Sequence, residues 1–423
     1  MSAGIVTDGP AIVAAISSRR RRFALRPTVA FAGAIFGFAS LYLAAGAPTP
    51  LLFLFEQQWH FAAWILTVAF AAYAIGLVVA LLVVGSLSDY VGRRPVLIGS
   101  LLVEFAAMLI FVFAPNIGWV IAARIIQGLA TGAATSAFSA AVVELAPQKH
   151  RKLGAIVGGI APAGGLGLGA LLTGLAVQFT PAANAIVFSA LAVIMVLGIV
   201  STVLSTETVS RRPGAARALI PQASVPVAAR REFAAAIPVH IAAWMLAALF
   251  MGLAPTIIRN IFHIDSGLIN GATAFIEPAA AAVAGFVLGR LTARRTTVVG
   301  SAAVLLGTTI IVLAIAFGIL PLLWIGGVIG GLGFGSSFSG ALRTIAPLAE
   351  PHQRAGLFAS VFLVAYLAFG VPAIIAGQLI ALVGLLPTVI GYGVVILITA
   401  AIGLLAQSRA GRSIRAMELV PAS

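Results

Sequence analysis

The amino-acid sequence predicts an all-α membrane protein: twelve transmembrane helices in two pseudo-symmetric six-helix halves. Composition, run length and internal repetition predict it. Mean hydropathy is +1.14, with 61% hydrophobic and only 9% charged residues in 423, a balance a soluble chain of this size does not tolerate. With no water in the bilayer core, such a chain crosses as helices or as a closed barrel. The apolar runs are continuous rather than alternating, which selects helices.

About 20 residues cross a hydrocarbon core of ~30 Å, and runs of that length fall, in order, at 29–51, 63–84, 96–114, 117–140, 153–177 and 182–204. After a polar interval they resume at 234–258, 268–289, 296–317, 319–342, 355–380 and 385–406. The interval 205–233 carries Pro213, Pro221 and Pro226, five arginines and little apolar periodicity. It reads as a linker, with room for a short surface helix. The organisation is therefore a tail at 1–27, a first half at 28–204, the linker, a second half at 234–406 and a tail at 407–423. Residues 128–151 and 331–354 share seven identities at an offset of 203, from Gly128/Gly331 and Gly132/Gly335 to Arg151/Arg354. Gly46-Ala47-Pro48-Thr49 is echoed by Gly252-Leu253-Ala254-Pro255-Thr256. Together these favour a duplicated six-helix unit.

The net charge of +14 is topological. Of 25 Lys and Arg, 23 lie in the two tails or in every second loop, and the alternate loops hold only Arg259. This bias places both termini and the linker in the cytoplasm, with anionic lipid headgroups as partners of the basic face. Nucleic acid need not be invoked. Cysteine is absent, so there is no disulfide framework and no thiolate metal site. The first 27 residues have an apolar stretch before the basic cluster, the wrong order for a signal peptide. Arginine far exceeds lysine and alanine is abundant, which suits the inner membrane of a bacterium with a GC-rich genome.

Between the second and third runs lies Gly85-Ser86-Leu87-Ser88-Asp89-Tyr90-Val91-Gly92-Arg93-Arg94. Glycine and charge wedged between membrane-length runs require a tight turn, with Asp89 ending one helix and Arg93 and Arg94 opening the next segment. The stretch resembles the helix 2–3 loop of the major facilitator superfamily, Gly-x-Leu-Ser/Ala-Asp-x-x-Gly-Arg-Arg/Lys. Tyr90 stands where a basic residue is common. The resemblance covers roughly residues 28–406. It implies two six-helix halves that rock about a substrate site near the bilayer midplane. It also implies that Asp89 pairs with Arg93 and with the N-terminal end of helix 11 near Gly356, so that Gly85, Asp89, Gly92 and Arg93 gate the inner side. Glu144 and Arg151 match the superfamily's Glu-x6-Arg spacing after helix 4 and would join that latch. Pro48, Pro50 and Pro255 fall at the outward ends of helices 1 and 7, where they can bend helix tips into an outer closure or simply end the helices.

Charges inside apolar spans are few: Glu104 in helix 3, Arg124 in helix 4 and Glu277 in helix 8. Each costs about 2.5–3.5 kcal/mol at a helix centre on insertion scales, so it faces a cavity or a partner. Arg124-Ile-Ile-Gln127-Gly128-Leu-Ala-Thr-Gly132 resembles the superfamily's Arg-x-x-Gln-Gly pattern of proton-coupled members. Spacings of three, four and eight put Arg124, Gln127, Gly128 and Gly132 on one face. Glu277 lies near the midplane on a helix that lines the cavity in this fold, followed by Pro278. It is a coupling or substrate carboxyl, or a buried structural one. Glu104 is expected to hydrogen-bond a neighbouring helix and is the next candidate for proton coupling. Helix 5 carries Gly158-Gly-Ile-Ala161-Pro162-Ala-Gly164-Gly165-Leu166-Gly167. It resembles the Gly-Pro-x-x-Gly-Gly signature of drug–proton antiporters, with Ala161 and Leu166 in place of glycines. Pro162 and Gly165 would serve close packing there. Tyr42, Tyr73, Gln127, His240, Trp244 and Tyr366 are candidates to line a substrate cavity or to be packing residues.

No phosphate loop, metal cluster, cofactor motif or nucleophile triad is present in the sequence, so no enzyme is expected. The expectation is a secondary transporter that works by alternating access, with proton-coupled efflux of a small, amphipathic compound as the leading mechanism. A proton-symporting or facilitative importer of a small solute is the alternative within the class. A non-transporting membrane receptor is the alternative from another class.

Overall fold

The computed structural model describes residues 25–418, apart from 63, 222 and 351–352. Twelve helices are long and apolar enough to cross a membrane, and among the described residues no strand occurs. We number the helices α1 (Pro27–Trp59), α2 (Trp64–Val84), α3 (Arg93–Phe113), α4 (Ile117–Glu144), α5 (Arg151–Phe179) and α6 (Ala183–Leu204). The second half holds α7 (Val227–Asn260), α8 (Gly267–Leu288), α9 (Ala293–Phe317), α10 (Leu320–Ile345), α11 (Arg354–Val383) and α12 (Leu385–Glu418). Each of them overlaps one span expected from the sequence.

The largest differences lie at α1 and α7. The expectation ended helix 1 just past its prolines. Instead α1 runs on to Trp59: Ala47 keeps helical dihedrals (φ −57°, ψ −37°), and the break is only in the hydrogen-bond ladder, where Pro48 and Pro50 have no N–H to give. Pro48 and Pro50 are therefore interior residues, both buried. A proline in mid-helix removes one backbone donor and bends the rod without having to end it, provided the freed carbonyl finds another partner. In α7 a π turn at Leu249–Leu253 precedes Pro255, which sits in the terminal segment Ala254–Asn260.

The core divides as the repeat predicts. One cluster of buried apolar residues runs from Phe31 to Met195, a second from Ala242 to Ala400. A third joins the halves through Phe70, Tyr73, Ala248, Ala274, Tyr366 and Phe369. The repeated glycines play equivalent parts in the two halves. A Cβ on Gly128 or Gly132 of α4 would strike the carbonyl oxygens of Tyr73 and Leu77 on α2. A Cβ on Gly331 or Gly335 of α10 would strike those of Glu277 and Ala281 on α8. The same four-residue spacing seats one helix backbone on another in both halves, as small-residue seams do in membranes. A further echo joins α3 and α9, which open with Arg93-Arg94 and Arg294-Arg295 and carry Gly99-Ser100 and Gly300-Ser301 at the same distance. Arg94 and Arg294 both donate to carbonyls near the end of the sixth helix of their half, at Thr202 (3.2 Å) and Gln407 (2.6 Å).

We call the end of the bundle that carries the loop 85–92 and the linker the linker face, and the opposite end the far face. Contacts between the halves concentrate toward the far face. There Gly174 of α5 meets Gly267 and Gly271 of α8, and the Ser266 hydroxyl donates to Gln178 Oε1 at 2.8 Å. Phe70 of α2 packs on Phe369 of α11 at 4.6 Å between ring centroids. Arg259, on the tip of α7, stacks over the Phe53 ring of α1 at 4.4 Å. Toward the linker face α5 and α8 part: a Cβ built on Gly164 still lies 3.8 Å from Ala282, but one built on Gly285, on the same side of α8 as Gly271 and Pro278, meets nothing within 4 Å.

Candidate functional site

Arg124, Gln127 and Glu104 form one buried polar network at the centre of the first half. Arg124 Nη1 donates to Gln127 Oε1 at 2.5 Å and to the Ala45 carbonyl of α1 at 3.1 Å, while Nε donates to the Ala69 carbonyl of α2 at 3.3 Å. The guanidinium also lies over the Tyr73 ring, 4.4 Å from its centroid. Gln127 Nε2 donates to Glu104 Oε1 at 3.1 Å and to the Ala44 carbonyl at 2.9 Å. One i, i+3 pair on α4 thus holds α1, α2 and α3. All three side chains are fully buried. Desolvation of that kind is tolerated only when donors and acceptors are matched. One atom is not matched: Glu104 Oε2 is buried without a hydrogen-bond partner.

Glu277 occupies the corresponding depth of the second half. On α8, Gly267, Gly271 and Pro278 face α5, while Thr273, Ile276, Ala280 and Ala284 face α10, the latter reached by the Trp324 indole at 2.9 Å from Thr273 Oγ1. The helical period leaves Asn270, Ala274, Glu277 and Ala281 on the strip between, turned to the middle of the bundle. Glu277 is buried, with Oε1 unpartnered, and so is Asn270, with Oδ1 unpartnered.

Trp244 of α7 lies at the middle of an aromatic wall. Its ring centroid is 4.7 Å from Tyr366, 5.5 Å from Phe334 and 5.8 Å from both Phe338 and Phe369. His240, one turn away, packs edge-on to Phe338 at 5.3 Å, with both ring nitrogens buried and unpartnered. Trp244, Phe334, Phe338 and Phe362 are only partly buried. The facing surface of the first half carries hydroxyls: Tyr42 Oη and Thr135 Oγ1 share a hydrogen bond of 3.0 Å. Tyr42, Tyr73 and Tyr366 all lie within electrostatic range of one another across the halves. The structure thus gathers the six cavity candidates around one central region. The phenylalanines of the wall and Asn270 escaped the sequence reading, because in a chain so rich in apolar residues nothing distinguishes a wall ring from a lipid-facing one.

At the linker face Arg93 reaches Asp89 (2.5 Å), Ser88 Oγ (2.7 Å) and Glu144 (3.1 Å), and Thr208 Oγ1 donates to the other oxygen of Glu144 at 2.5 Å. Asp89 makes its ion pair within the first half, its side chain 58% exposed. Among the described residues no contact joins Asp89 to the N-terminal end of α11 in this arrangement, in which α5 and α8 stand apart. Gly356 instead accepts from the linker, at Ser224 N–H (3.2 Å). The side chain of Arg151 lies outside the described residues, so the Glu144–Arg151 pair is not described. Gly92 has φ +100°, a conformation suited to glycine. There the backbone turns so that the Arg93 and Arg94 N–H groups meet the two oxygens of Glu207, at 2.9 and 3.0 Å. Glu207 thereby caps α3 from the linker, a role no sequence pattern marked. Gly85 offers its carbonyl to Ser136 Oγ at 2.5 Å. Gly165 lies against Ala39 and Tyr42 of α1, and Pro162 is inside α5.

Comparison with known proteins agrees with this architecture. A family model described as Major Facilitator Superfamily matches residues 34–294. The D-xylose transporter of Levilactobacillus brevis is 29% identical over 122 residues, which are 29% of this chain and 26% of that protein. The minor myo-inositol transporter IolF of Bacillus subtilis (strain 168) is 35% identical over 129 residues, 30% of each. The matches thus span less than a third of those relatives' lengths. Among solved structures, the human organic anion transporter MFSD10 (TETRAN) superposes with a TM-score of 0.65 at 16% identity, over 90% of this chain and 100% of that one. A POT family transporter in complex with 5-aminolevulinic acid gives a TM-score of 0.70 at 14% identity, over 90% and 96%. At such identities the structural matches show the fold alone. The family model covers more than half of the chain, the loop and helix-4 motifs stand where the fold needs them, and this protein belongs to the Major Facilitator Superfamily.

Proposed function

We propose that this protein is a secondary active transporter of a small molecule, driven by protons and working by alternating access in a bacterial inner membrane. In this reading the linker face is cytoplasmic and the far face periplasmic, an orientation that the distribution of basic residues supports. The two tails, the linker and the basic loops then meet anionic headgroups. The arrangement described above has its periplasmic side closed.

One observation carries the coupling. Glu277 stands on the strip of α8 that faces the centre of the bundle, buried and with an oxygen that lacks a hydrogen-bond partner. A carboxyl so placed is costly, and in this fold it marks an ion or substrate path. As the halves rock, the same group passes between a dry and a wetted environment, which can load a proton on one side and release it on the other. Arg124 does not deprotonate and serves as a fixed cation for the first half.

Efflux of an amphipathic compound is the direction we favour. The helix-4 and helix-5 motifs support it, and so does the central surface, aromatic on one side and hydroxyl-bearing on the other. The partial matches to a D-xylose and a myo-inositol transporter support a second reading, proton-linked or facilitative import of a small polyol. Purified protein in liposomes with an imposed pH gradient tests both. Glu277→Gln is expected to abolish gradient-driven flux while sparing substrate counterflow. Gradient-driven flux at the wild-type level in Glu277→Gln removes Glu277 from coupling. Accumulation of xylose or inositol, with no movement of aromatic amphiphiles, favours import.

A further inference from the structure

The polar network of the first half ends on a structural weak point of α1. In an unbroken helix the N–H of residue 48 would donate to the carbonyl of Ala44. Residue 48 is proline and has no N–H, so that carbonyl is left without its helical partner. Gln127 Nε2 supplies the missing donor at 2.9 Å, from α4. The neighbouring Ala45 carbonyl accepts from Arg124 Nη1 at 3.1 Å. At the same level Gly46 backs onto the Leu166 carbonyl of α5, so α1 is gripped from two sides at its own break. The segment beyond the break, Pro48–Trp59, carries Phe53 and Gln57 to the far face. Phe53 lies under Arg259 of α7, and Gln57, with its amide oxygen turned to the guanidinium, accepts from Arg259. Arg259 is the sole lysine or arginine in the loops of that face. The state of the break therefore bears on whether the far face stays shut.

The Gln127 amide cannot turn freely. Its oxygen is held by Arg124 at 2.5 Å, so its two hydrogens are shared between Ala44 and Glu104 Oε1. We propose that Glu104 is a proton-binding site and that Gln127 reports its occupancy to the Pro48 break of α1. An ionised Glu104 has one donor and one bare buried oxygen, so it draws the amide and the Arg124 cation toward itself. The Ala44 carbonyl then loses its substitute donor, and the outer segment of α1 is released. A neutral Glu104 is a weaker acceptor, the amide stays on Ala44, and the outer segment stays docked on α7. The proton is exchanged with water that reaches the network as the bundle opens transiently, whether or not the outer segment of α1 has been released.

The groups facing Glu104 are few. Arg124 and Gln127 come from α4 and Tyr73 from α2. Helix α6, packed along the other side of α3, holds no titratable residue in Ala183–Leu204. From α1 come the two carbonyls, with the Tyr42 hydroxyl engaged by Thr135. In the second half the counterparts of Arg124 and Gln127, 203 residues on, are Gly327 and Gly330. They pack against Phe250 and Leu246 of α7, and Gly307 of α9 meets Gly330, so among the described residues these two positions offer no side-chain donor toward Pro255. The device belongs to one half. It rests on the alternating-access reading but not on coupling through Glu277.

The absence of cysteine gives a clean background for the test. Gln58→Cys and His263→Cys, exposed near the tips of α1 and α7, are spin-labelled. Their separation is measured from acid to alkaline buffer in nanodiscs. The distance is expected to lengthen as pH rises. Glu104→Gln, locked neutral, is expected to hold the short distance throughout. Pro48→Ala restores the missing N–H to Ala44. It is expected to abolish the pH response while infrared difference spectra still show a titrating carboxyl band that Glu104→Gln removes. A wild-type pH response in either variant overturns the proposal, and so does a Glu104 carboxyl band that does not change with pH. If Glu104→Gln does not fold, the distance response of Pro48→Ala decides alone. Glu277→Gln serves as the control. A normal distance response in the wild-type sequence together with no flux driven by a pH gradient would sink the coupling reading and leave this relay standing.

Discussion

Arg124 matters more for its shape than for its charge. Its fork reaches Ala45 on α1, Ala69 on α2 and Gln127 on its own helix, and its plane covers Tyr73. An ammonium keeps the charge but neither the planar spread nor the stacking. Interhelical hydrogen bonds in membranes average about 0.6 kcal/mol each, so Arg124→Lys is expected to fold, with a modest loss of thermal stability. Transport should fall by tenfold or more, because Gln127 loses the partner that fixes its amide. Near-wild-type flux in Arg124→Lys would show that charge alone suffices. The sequence made Arg124 and Gln127 legible because a motif and helical spacing coincide there. It did not show that Glu104 joins them, since which face α3 turns to α4 depends on tertiary packing. Glu207 was equally hidden. An acidic residue in a polar linker has no periodicity, and its part as a cap appears only once Gly92 turns the chain toward it.

Among the elements, α4 and α10 carry the seams on which each half is built. Gly128 admits the Tyr73 carbonyl so closely that a methyl group has nowhere to go. Overpacking of this kind costs about 1–3 kcal/mol, and here the opposing atom is backbone. Gly128→Ala and its counterpart Gly331→Ala are therefore expected to lower the melting temperature of the purified protein markedly. Gly99→Ala, with nothing within 4 Å of its Cβ, should leave it unchanged. A uniform response at the three positions would mean that the glycines serve flexibility rather than fit. The seams were legible as a repeat, because small residues at fixed spacing survive in the chain as identities. Helix ends were less so. Prolines at 48 and 50 read as a terminus, yet the helix persists to Trp59 because side chains of α4 take over the freed carbonyl. The π turn at Leu249–Leu253 left no mark at all.

At the scale of the whole molecule, the halves touch where the far face closes and diverge toward the linker face, and the proposed alternating access predicts that rocking exchanges the two conditions. Gln178 at the end of α5 and Ser266 at the start of α8 meet through a side-chain hydrogen bond, whereas Gly285, on the α5-facing side of α8 near its other end, faces open space. Two substitution pairs in the cysteine-free chain separate these ends. Gln178→Cys with Ser266→Cys, bridged by a short bifunctional thiol reagent, pins the closed end. Transport is expected to stop and, with a cleavable reagent, to return on reduction. Ile160→Cys, one turn before Gly164 on the α8-facing side of α5, with Gly285→Cys should remain open to thiol probes in the arrangement described here. The same pair should bridge only in the opposite arrangement, for example when the Arg259 contact at the tip of α7 is removed. Cross-linking that stops transport at either end, each favoured under opposite conditions, is what two rigid halves sharing one central site require. If the Gln178–Ser266 bridge forms fully and flux continues, α5 and α8 do not separate at that end during the cycle. The motion would then be confined to the outer segments of α1 and α7 beyond Pro48 and Pro255.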